Sequence, residues 1–354
     1  METLTSEQRF LRACCQQPVD ATPVWFMRQA GRYMREYQAV RAKHSLLEIC
    51  AQPELAAEVT LQPVSRLGVD AAILFADILL PLIPMGIQLE FAAGEGPVIH
   101  NPIRSPADVA TLRPVEPRES LANVLEAVRL VRHELDGKVA LIGFAGAPFT
   151  LASYIIEGGS SRNYLKTKRL MFGEPETWHS LMTRLAEIIA SYLTAQVEAG
   201  AQAVQLFDSW VGALTPEDYR QYVLPYSQTI FQALRQTGAP AIHFGTGTAS
   251  LLPLMREAGG QVIGVDWQTP LDWAWQRLDY QTAVQGNLDP VALFAPQAEL
   301  DRRVDRVLIQ AAGHPGHIFN LGHGILPETP VDQVQRVVDR VHERSAAGIA
   351  PAHD

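Results

Sequence analysis

Short apolar runs, each ending in a polar or small residue, recur along the chain between longer stretches of helical period. The runs are near-continuous rather than alternating, which is typical of strands buried on both faces of a parallel sheet. Eight of them can be counted, at residues 22–29, 70–77, 139–145, 201–208, 239–244, 261–266, 282–287 and 317–321. Eight is the strand number of a (β/α)8 barrel.

The segments between these runs carry helix signals. Residues 119–135 place five aliphatic side chains on one face at a period of 3.6 residues. Residues 176–199 show the same period and stop at Gly200. Thr215 followed by Pro216 predicts a helix start, because threonine is a good cap and proline suits the first helical position. Spaced valines at 331–341 predict the last helix.

Strand and helix signals alternate through the whole chain, without a change of composition or a Gly/Ser linker. This pattern predicts an α/β protein made of one domain over residues 1–354, a (β/α)8 TIM barrel. A doubly wound open sheet is the alternative. Residues 81–99 contain an alternating segment, GIQLEF, and a turn-like AAGEG, which predict a short hairpin inserted after the second strand. We expect residues 1–10 and 345–354 to fray.

Composition narrows the function. Hydrophobic residues make up 47% and charged residues 19% of the chain, which excludes a disordered or fibrous protein. The net charge of -9 provides no basic footprint for nucleic acid, so an anionic ligand needs a local cationic cluster. Cys14, Cys15 and Cys50 lack metal-ligand spacing, and no apolar run approaches the roughly 18 residues of a membrane helix. We therefore expect a soluble, cytoplasmic protein without a metal, nucleic-acid or membrane partner.

Polar residues end the predicted strands. Because a barrel builds its active face from the C-terminal ends of its strands, these residues form one candidate rim. For each of them a helix cap or a loop hydrogen bond is an equal alternative. The rim residues are Arg28, Asp77, Asp208 with Ser209, His243, Asp266, Asn287 and, just beyond the last strand, His323.

The first two rim residues suggest the ligand's charge. Arg28 and Arg32 stand four residues apart around a glycine, directly after a buried strand. Guanidinium forks bind carboxylates or phosphates bidentately, so this cluster in an acidic protein favours a polyanionic small ligand. Asp77 ends the run LFAD on the same rim. It is either an ion-pair partner of Arg28 or an acceptor for cationic and N–H-rich groups of a ligand.

Other motifs are weak. The glycine-rich stretches at 143–150 and 245–248 match neither G-x-G-x-x-G nor a P-loop, so nucleotide binding is poorly supported. The close pair His314 and His317, separated by Pro-Gly, is more typical of a loop than of a zinc site. No G-x-S-x-G nucleophile elbow occurs.

Seven further segments occur in a characteristic order. They are PVWFMRQAGRYMREY from Pro23, ILFADIL from Ile73, GFAGAPFTLASYIIEGG from Gly143, LFDSWVG from Leu206, HFGTGT from His243, QGNLDP from Gln285 and NLGHGILPETP from Asn320. Together they resemble the uroporphyrinogen decarboxylase family over nearly the whole chain, and their combination in this order is highly specific. Two small departures are Met34-Arg35, where the family commonly has Leu-Pro, and Phe149, where tryptophan is frequent.

The resemblance implies a single-domain (β/α)8 barrel that forms a homodimer and works without metal or organic cofactor. It implies the conversion of uroporphyrinogen III to coproporphyrinogen III by loss of four acetate carboxyls, in haem biosynthesis. Such a substrate carries eight carboxylates, which would explain why arginines gather on one rim of an acidic protein.

The resemblance also assigns roles. Asp77 would accept hydrogen bonds from the pyrrole N–H groups and stabilise positive charge that develops on the ring. Arg28, relaying through bound water, is the candidate proton donor, although free arginine is a poor acid. Arg41 would add carboxylate contacts, and Phe144 and Phe207 would wall the macrocycle. The substrate-binding residues implied are Arg28, Gln29, Ala30, Gly31, Arg32, Asp77, Tyr154, Ser209 and His323.

Two other functions are weighed against this one. A zinc methyltransferase of the same fold is expected to use His-x-Cys, but the corresponding sequence here is His243-Phe244-Gly245 and no cysteine lies beyond Cys50. A non-catalytic tetrapyrrole carrier would be favoured by loss of Asp77 or of the two arginines, and all three are present.

Overall fold

The computed structural model describes residues 3–92 and 96–346. The strands are β1 (Ala71–Ile73), β2 (Leu89–Ala92), β3 (Gly96–Ile99), β4 (Ala140–Gly146), β5 (Ala203–Asp208), β6 (Ala241–Gly245), β7 (Val262–Gly264), β8 (Ala283–Gln285) and β9 (His317–Ile318). The helices are α1 (Ser6–Cys14), α2 (Arg35–Arg41), α3 (Leu46–Ala51), α4 (Pro53–Leu67), α5 (Pro106–Ala110), α6 (Pro117–Ser120), α7 (Ala122–Leu135), α8 (Pro148–Glu157), α9 (Leu165–Gly173), α10 (Pro175–Ala199), α11 (Pro216–Tyr222), α12 (Leu224–Arg235), α13 (Leu252–Ala258), α14 (Leu271–Arg277), α15 (Gln297–Ala311) and α16 (Val331–Ala346). Short 3-10 turns lie at Leu80–Leu82, Val211–Ala213, Ala249–Leu251 and Pro290–Phe294.

Seven parallel strands form the main sheet, in the order β1-β4-β5-β6-β7-β8-β9. They coincide with seven of the eight predicted runs. Strands β4, β5 and β6 are buried almost throughout, as expected for a parallel sheet with helices outside it. The helices that follow the strands form the outer layer.

The first predicted run forms no regular strand, but its backbone joins the two edges of the sheet. Phe319, directly after β9, donates its N–H to the carbonyl of Pro23 at 2.8 Å and accepts from the N–H of Trp25 at 3.3 Å. On the other side, Asp70 donates its N–H to the carbonyl of Val24 at 2.8 Å, directly before β1. The segment therefore closes the sheet, and the predicted single-domain (β/α)8 architecture is confirmed.

The insertion after the second barrel strand is the predicted hairpin. Strands β2 and β3 pair antiparallel, with Leu89 opposite Ile99. The hairpin is tied back to the barrel layer because the N–H of Ile99 donates to the carbonyl of Gly158, the residue after α8. Residues 93–95 of the predicted AAGEG turn lie outside the described residues.

Local signals set the helix ends as predicted. Helix α10 stops at Gly200, whose φ of 124° few other residues adopt. At the start of α11, the Thr215 hydroxyl accepts from the N–H of Asp218 at 3.1 Å. Helix α16 buries Val334, Val338 and a third valine, Val341, on one face.

The 25-residue helix α10 fixes the position of β4. The buried amide of Gln196 accepts from the Phe144 N–H and donates to the Phe144 carbonyl, both at 2.9 Å. A Cβ at Gly143 would lie 2.5 Å from the Gln196 Oε1, so glycine is needed for this approach. Within the described ranges no helix, this one included, is long and apolar enough to cross a membrane.

Where the structure describes them, the chain ends are helical rather than frayed as expected. Ser6 to Phe10 belong to α1, which begins with a capping box between Thr5 and Gln8 and buries Phe10 completely. The capping and the buried ring hold these residues in place. At the other end, Ser345 is in the last turn of α16, and residues 347–354 lie outside the described residues.

Candidate active site

Arg28 stands on a sharp turn that its neighbour holds in place. Its φ of 62° is in the left-handed region, which is unusual for a residue with a side chain. The fully buried Gln29 amide accepts from the N–H of Phe26 at 2.9 Å and donates to the carbonyl of Ala71 at 3.0 Å. A Cβ at Gly31 would lie 2.9 Å from the Arg28 carbonyl. Gln29 and Gly31 thus shape the turn that presents Arg28.

The Arg28 side chain extends over the loop that follows β9. A Cβ at Gly324 would lie 2.5 Å from the Arg28 Cδ and 3.1 Å from its Nε. The loop is fixed to the same turn, since the N–H of Ile325 donates to the Met27 carbonyl at 2.9 Å. The two ends of the chain therefore build one side of the site together.

His323 in this loop is a neutral donor near pH 7. Its Nδ1 accepts from the N–H of Gly324 at 2.7 Å, so the hydrogen-bond pattern assigns the ring proton to Nε2. Burial lowers the pKa of His323, the Arg28 charge lowers it further, and Asp266 opposes them. The Nε2–H is therefore available to an anionic group.

Asp77 follows β1 in a tight turn. Its Oδ1 accepts from the N–H of Leu79 at 2.9 Å. Burial raises the pKa of Asp77 above its usual range, against the opposing effects of the Leu79 N–H and the Arg28 charge. Among the described residues no basic group comes within 4.0 Å of this carboxylate, so it is not an ion-pair partner of Arg28. Its second oxygen remains available as an acceptor.

Tyr154 and Ser209 come from neighbouring elements, α8 and the end of β5. The Tyr154 ring stacks on Trp210, with ring centres 3.9 Å apart. Burial and the Asp77 charge raise the pKa of Tyr154 to about 12, so its hydroxyl stays protonated as a donor. The Ser209 carbonyl accepts from the Thr246 hydroxyl at 2.5 Å, which fixes the loop after β5.

Aromatic rings on successive strands make an apolar wall. Phe144 on β4 and Phe207 on β5 meet edge to face, with ring centres 5.5 Å apart. Phe207 also meets Phe244 of β6 at 5.9 Å. Such a wall suits a flat or bowl-shaped apolar body that carries charged groups at its edge.

The family model for uroporphyrinogen decarboxylase (URO-D) matches residues 5–344. The chain belongs to the uroporphyrinogen decarboxylase family. A uroporphyrinogen decarboxylase of Sorangium cellulosum is 63% identical over 341 residues, covering 96% of this chain and 97% of that protein. One of Carboxydothermus hydrogenoformans is 59% identical over 337 residues, covering 95% of this chain and 96% of that protein.

Solved structures confirm the fold of this uroporphyrinogen decarboxylase family member. A methyltransferase from Methanosarcina mazei has a TM-score of 0.80 at 20% identity and covers 97% of this chain and 99% of its own. A B12-independent methionine synthase from Shewanella sp. has a TM-score of 0.56 at 10% identity, covering 85% and 89%. In the described part of this chain, no three His, Cys, Asp or Glu side chains are grouped as metal ligands.

His243 does not belong to the rim of the uroporphyrinogen decarboxylase site, so that prediction is wrong. Strand β6 continues to Gly245, and His243 is fully buried with its ring 5.0 Å from Phe231 of α12. Asp208 likewise is fully buried, and its Oδ1 accepts from the Thr150 hydroxyl at 3.1 Å. Both side chains face the helices because they alternate with residues that face the barrel interior.

Two further rim residues hold loops. Asp266 accepts from the N–H of Gln268 at 3.0 Å and from the Thr269 hydroxyl at 3.3 Å. Asn287 donates from Nδ2 to the carbonyl of Asp266 at 2.8 Å and to that of Thr269 at 2.6 Å. Here the loop hydrogen bonds weighed as an alternative are what the structure shows.

The remaining predicted residues lie just before α2, at Ala30 and Arg32, and at its last residue, Arg41. Ala30 is half-buried against the core, and Arg32 and Arg41 are exposed. The Arg41 Nη1 donates to the carbonyl of His44. Burial raises the pKa of Tyr37, while the charges of Arg41 and Arg32 oppose this rise, so both guanidiniums lie near that ring.

Trp210 and Gly324 of this uroporphyrinogen decarboxylase family member contact predicted site residues, although the sequence alone assigned neither a role. Both stood inside family segments, LFDSWVG and NLGHG. Their roles depend on contacts with Tyr154 and Arg28, which are distant in sequence. Only their place inside the matching segments marked them.

Proposed function

We propose that the protein decarboxylates uroporphyrinogen III to coproporphyrinogen III, removing four acetate carboxyls without a cofactor. The observation that carries the proposal is the Asp77 carboxylate, which has an unpaired oxygen beside Arg28 and Tyr154. A carboxylate accepts hydrogen bonds only, so it suits a ligand that presents converging N–H groups. The names of the relatives support the same substrate.

The substrate itself can supply the electron sink. Protonation of a pyrrole ring carbon makes an iminium-like cation, and the electron pair of the breaking C–CO2 bond flows into that ring as CO2 leaves. A proton then adds to the exocyclic carbon and forms the methyl group, and the ring returns its own proton. Each acetate thus loses one CO2, gains one proton and becomes a methyl group.

Asp77 stabilises the cation in this scheme, because an ionised carboxylate close to the ring opposes the positive charge that develops there. Burial raises the pKa of Asp77 towards neutral pH, whereas the Arg28 charge favours its ionised form. Arg28 remains the candidate for proton delivery through bound water.

The binding roles follow from the same arrangement. Arg28 and His323 offer N–H donors on one side of the site, and the Tyr154 hydroxyl and Ser209 offer donors from α8 and the end of β5. Ala30, Gly31 and Arg32 are proposed to line the same substrate. The Gln29 amide is engaged with backbone groups, so its contribution is to hold the turn.

Anaerobic incubation of chelator-treated protein with uroporphyrinogen III tests the proposal. The products are oxidised and separated by carboxylate number. We expect a ladder from eight carboxylates down to four. Substrate that returns intact despite binding would instead identify a tetrapyrrole carrier, and turnover only after addition of zinc and a corrinoid would identify a methyltransferase.

We also infer that the protein forms a homodimer in the cytoplasm, on the resemblance of its sequence segments to the family. Sedimentation at micromolar concentration should give a mass near twice 39.0 kDa. A monomer at that concentration would contradict the assembly.

A further inference from the structure

Asp208 is a fully buried carboxylate between two proposed substrate residues of the barrel mouth. It is the last residue of β5, flanked by Phe207 and Ser209. Because side chains alternate along a strand, Asp208 points towards the helices while Phe207 points towards the barrel interior, and Ser209 begins the turn that follows. Its own anchorage therefore sets how Phe207 and Ser209 are presented.

One oxygen of Asp208 is tied to the helix that carries Tyr154. The Thr150 hydroxyl, on the first turn of α8, donates to Oδ1 at 3.1 Å. The same hydroxyl accepts from the N–H of Trp210 at 3.3 Å, and the Trp210 ring stacks on Tyr154. These contacts join α8 to the end of β5 through both Thr150 and Tyr154.

The other oxygen, Oδ2, has no hydrogen-bond partner among the described residues. His243 Nε2 on β6 lies 3.6 Å from Oδ2, and the imidazole is fully buried. Neither ring nitrogen hydrogen-bonds to any other described residue. The Tyr219 hydroxyl of α11 is buried nearby, and its pKa is raised by burial and then by the Asp208 charge. Rotation of this carboxylate away from Thr150 is costly, because it would leave both buried oxygens without a hydrogen-bond donor.

We propose that Asp208 is a positioning residue: hydrogen-bonded to Thr150 and buried against His243, it holds Ser209 and Tyr154 where they bind the carboxylates of one substrate. This inference rests on the proposed function. Ser209 and Tyr154 bind substrate in every round of the reaction, so loosening them removes binding shared by ground state and transition state. Loss of such uniform binding raises KM and leaves kcat nearly unchanged.

The mildest test is Thr150→Val, which keeps the shape of the side chain and removes its hydroxyl. We expect KM for uroporphyrinogen III to rise about fivefold to tenfold, with kcat within about twofold, from the loss of one charge-assisted hydrogen bond. Thr150→Ser retains the hydroxyl and should restore KM. Asp208→Asn should raise KM at least as much.

The matched control is Asp70→Asn, another fully buried carboxylate, placed before β1 at the opposite end of the barrel. Its oxygens accept from Arg9 Nη1 at 2.6 Å and from His342 Nε2 at 2.7 Å. This variant should lower the unfolding midpoint Tm and leave KM unchanged. If Thr150→Val and Asp208→Asn behaved like this control, Asp208 would be structural only and the proposal would fail.

A double-mutant comparison of KM tests the same proposal in a way that a general loss of stability does not affect. In a Tyr154→Phe background, the KM effect of Thr150→Val should shrink to less than about twofold, because residues acting through one contact are not additive. An undiminished effect would overturn the proposal. If the wild type produced no coproporphyrinogen, the proposed function would fail, and the dissociation constant for uroporphyrin would still test the positioning role with the same variants.

Discussion

The side chain of Arg28 lies across Gly324, so close that a Cβ at residue 324 would sit 2.5 Å from the Arg28 Cδ. The two residues come from opposite ends of the chain and meet at the barrel mouth. Since the contact is with a flexible side chain, an added methyl would displace Arg28 rather than disrupt the fold.

Gly324→Ala is therefore predicted to weaken substrate binding through Arg28. We expect KM to rise about tenfold, in line with a lost charge-assisted contact, and Tm to change little. Steady-state kinetics and thermal unfolding measure the two quantities. Gly173→Ala, where an added Cβ meets nothing within 4 Å, should leave both unchanged. A normal KM in Gly324→Ala would show that the position of Arg28 is not critical.

Asp77→Asn is predicted to separate binding from chemistry. The amide keeps an acceptor oxygen, so the dissociation constant should stay within a few-fold of wild type, while kcat should fall about 100- to 1000-fold for want of the stabilising charge. Product analysis at saturating substrate gives kcat. The exposed carboxylate variant Asp332→Asn serves as control and should be fully active. Near-normal turnover in Asp77→Asn would remove the role assigned to Asp77.

The ionised Asp77 carboxylate is predicted to lower the free energy of unfolding at neutral pH. Because burial raises its folded pKa above the usual 3.8, folded protein binds this proton more tightly than the unfolded chain. Stability from Asp77 is thus lost as pH rises from 3.8 through the raised pKa. Asp77→Asn should have a higher Tm than wild type at pH 7, and the difference should shrink towards pH 4. A Tm difference that stayed constant from pH 4 to 8 would argue against this burial effect.

His323 is predicted to be neutral at pH 7, with its proton on Nε2. Burial and the Arg28 charge both lower its pKa from 6.5, so imidazolium should appear only as pH falls below that value. Nitrogen NMR of the free protein would report both the tautomer and its titration. His323→Gln retains an N–H donor and should bind substrate better than His323→Leu. A cationic ring at pH 7 would contradict the assignment.

The architecture was largely predictable because its signals are local or periodic. Buried strands produce apolar runs, and Gly200 and Thr215 mark helix ends by backbone chemistry. The residues at the rim of the barrel were less predictable. His243 lies two residues before the end of β6 and on its outer face, and a continuous apolar run reveals neither where a strand ends nor which of its side chains face outwards.

Side-chain direction at turns was also beyond the sequence. Gln29 stands in a segment that matches the family, yet its amide turns inward to Phe26 and Ala71. The positive φ of Arg28, directly before Gln29, is likewise not indicated by the residue type. The raised pKa of Asp77 likewise depends on which distant residues enclose it.

Closure of the barrel by residues 23–25 has a consequence for the newborn chain. Phe319, with which this segment pairs, is synthesised almost 300 residues after it. At about 5–20 residues per second the wait is about 15–60 s. Arg28 has no Gly324 to lie against during that interval, so the growing polypeptide lacks this side of the barrel mouth until residue 324 has been added.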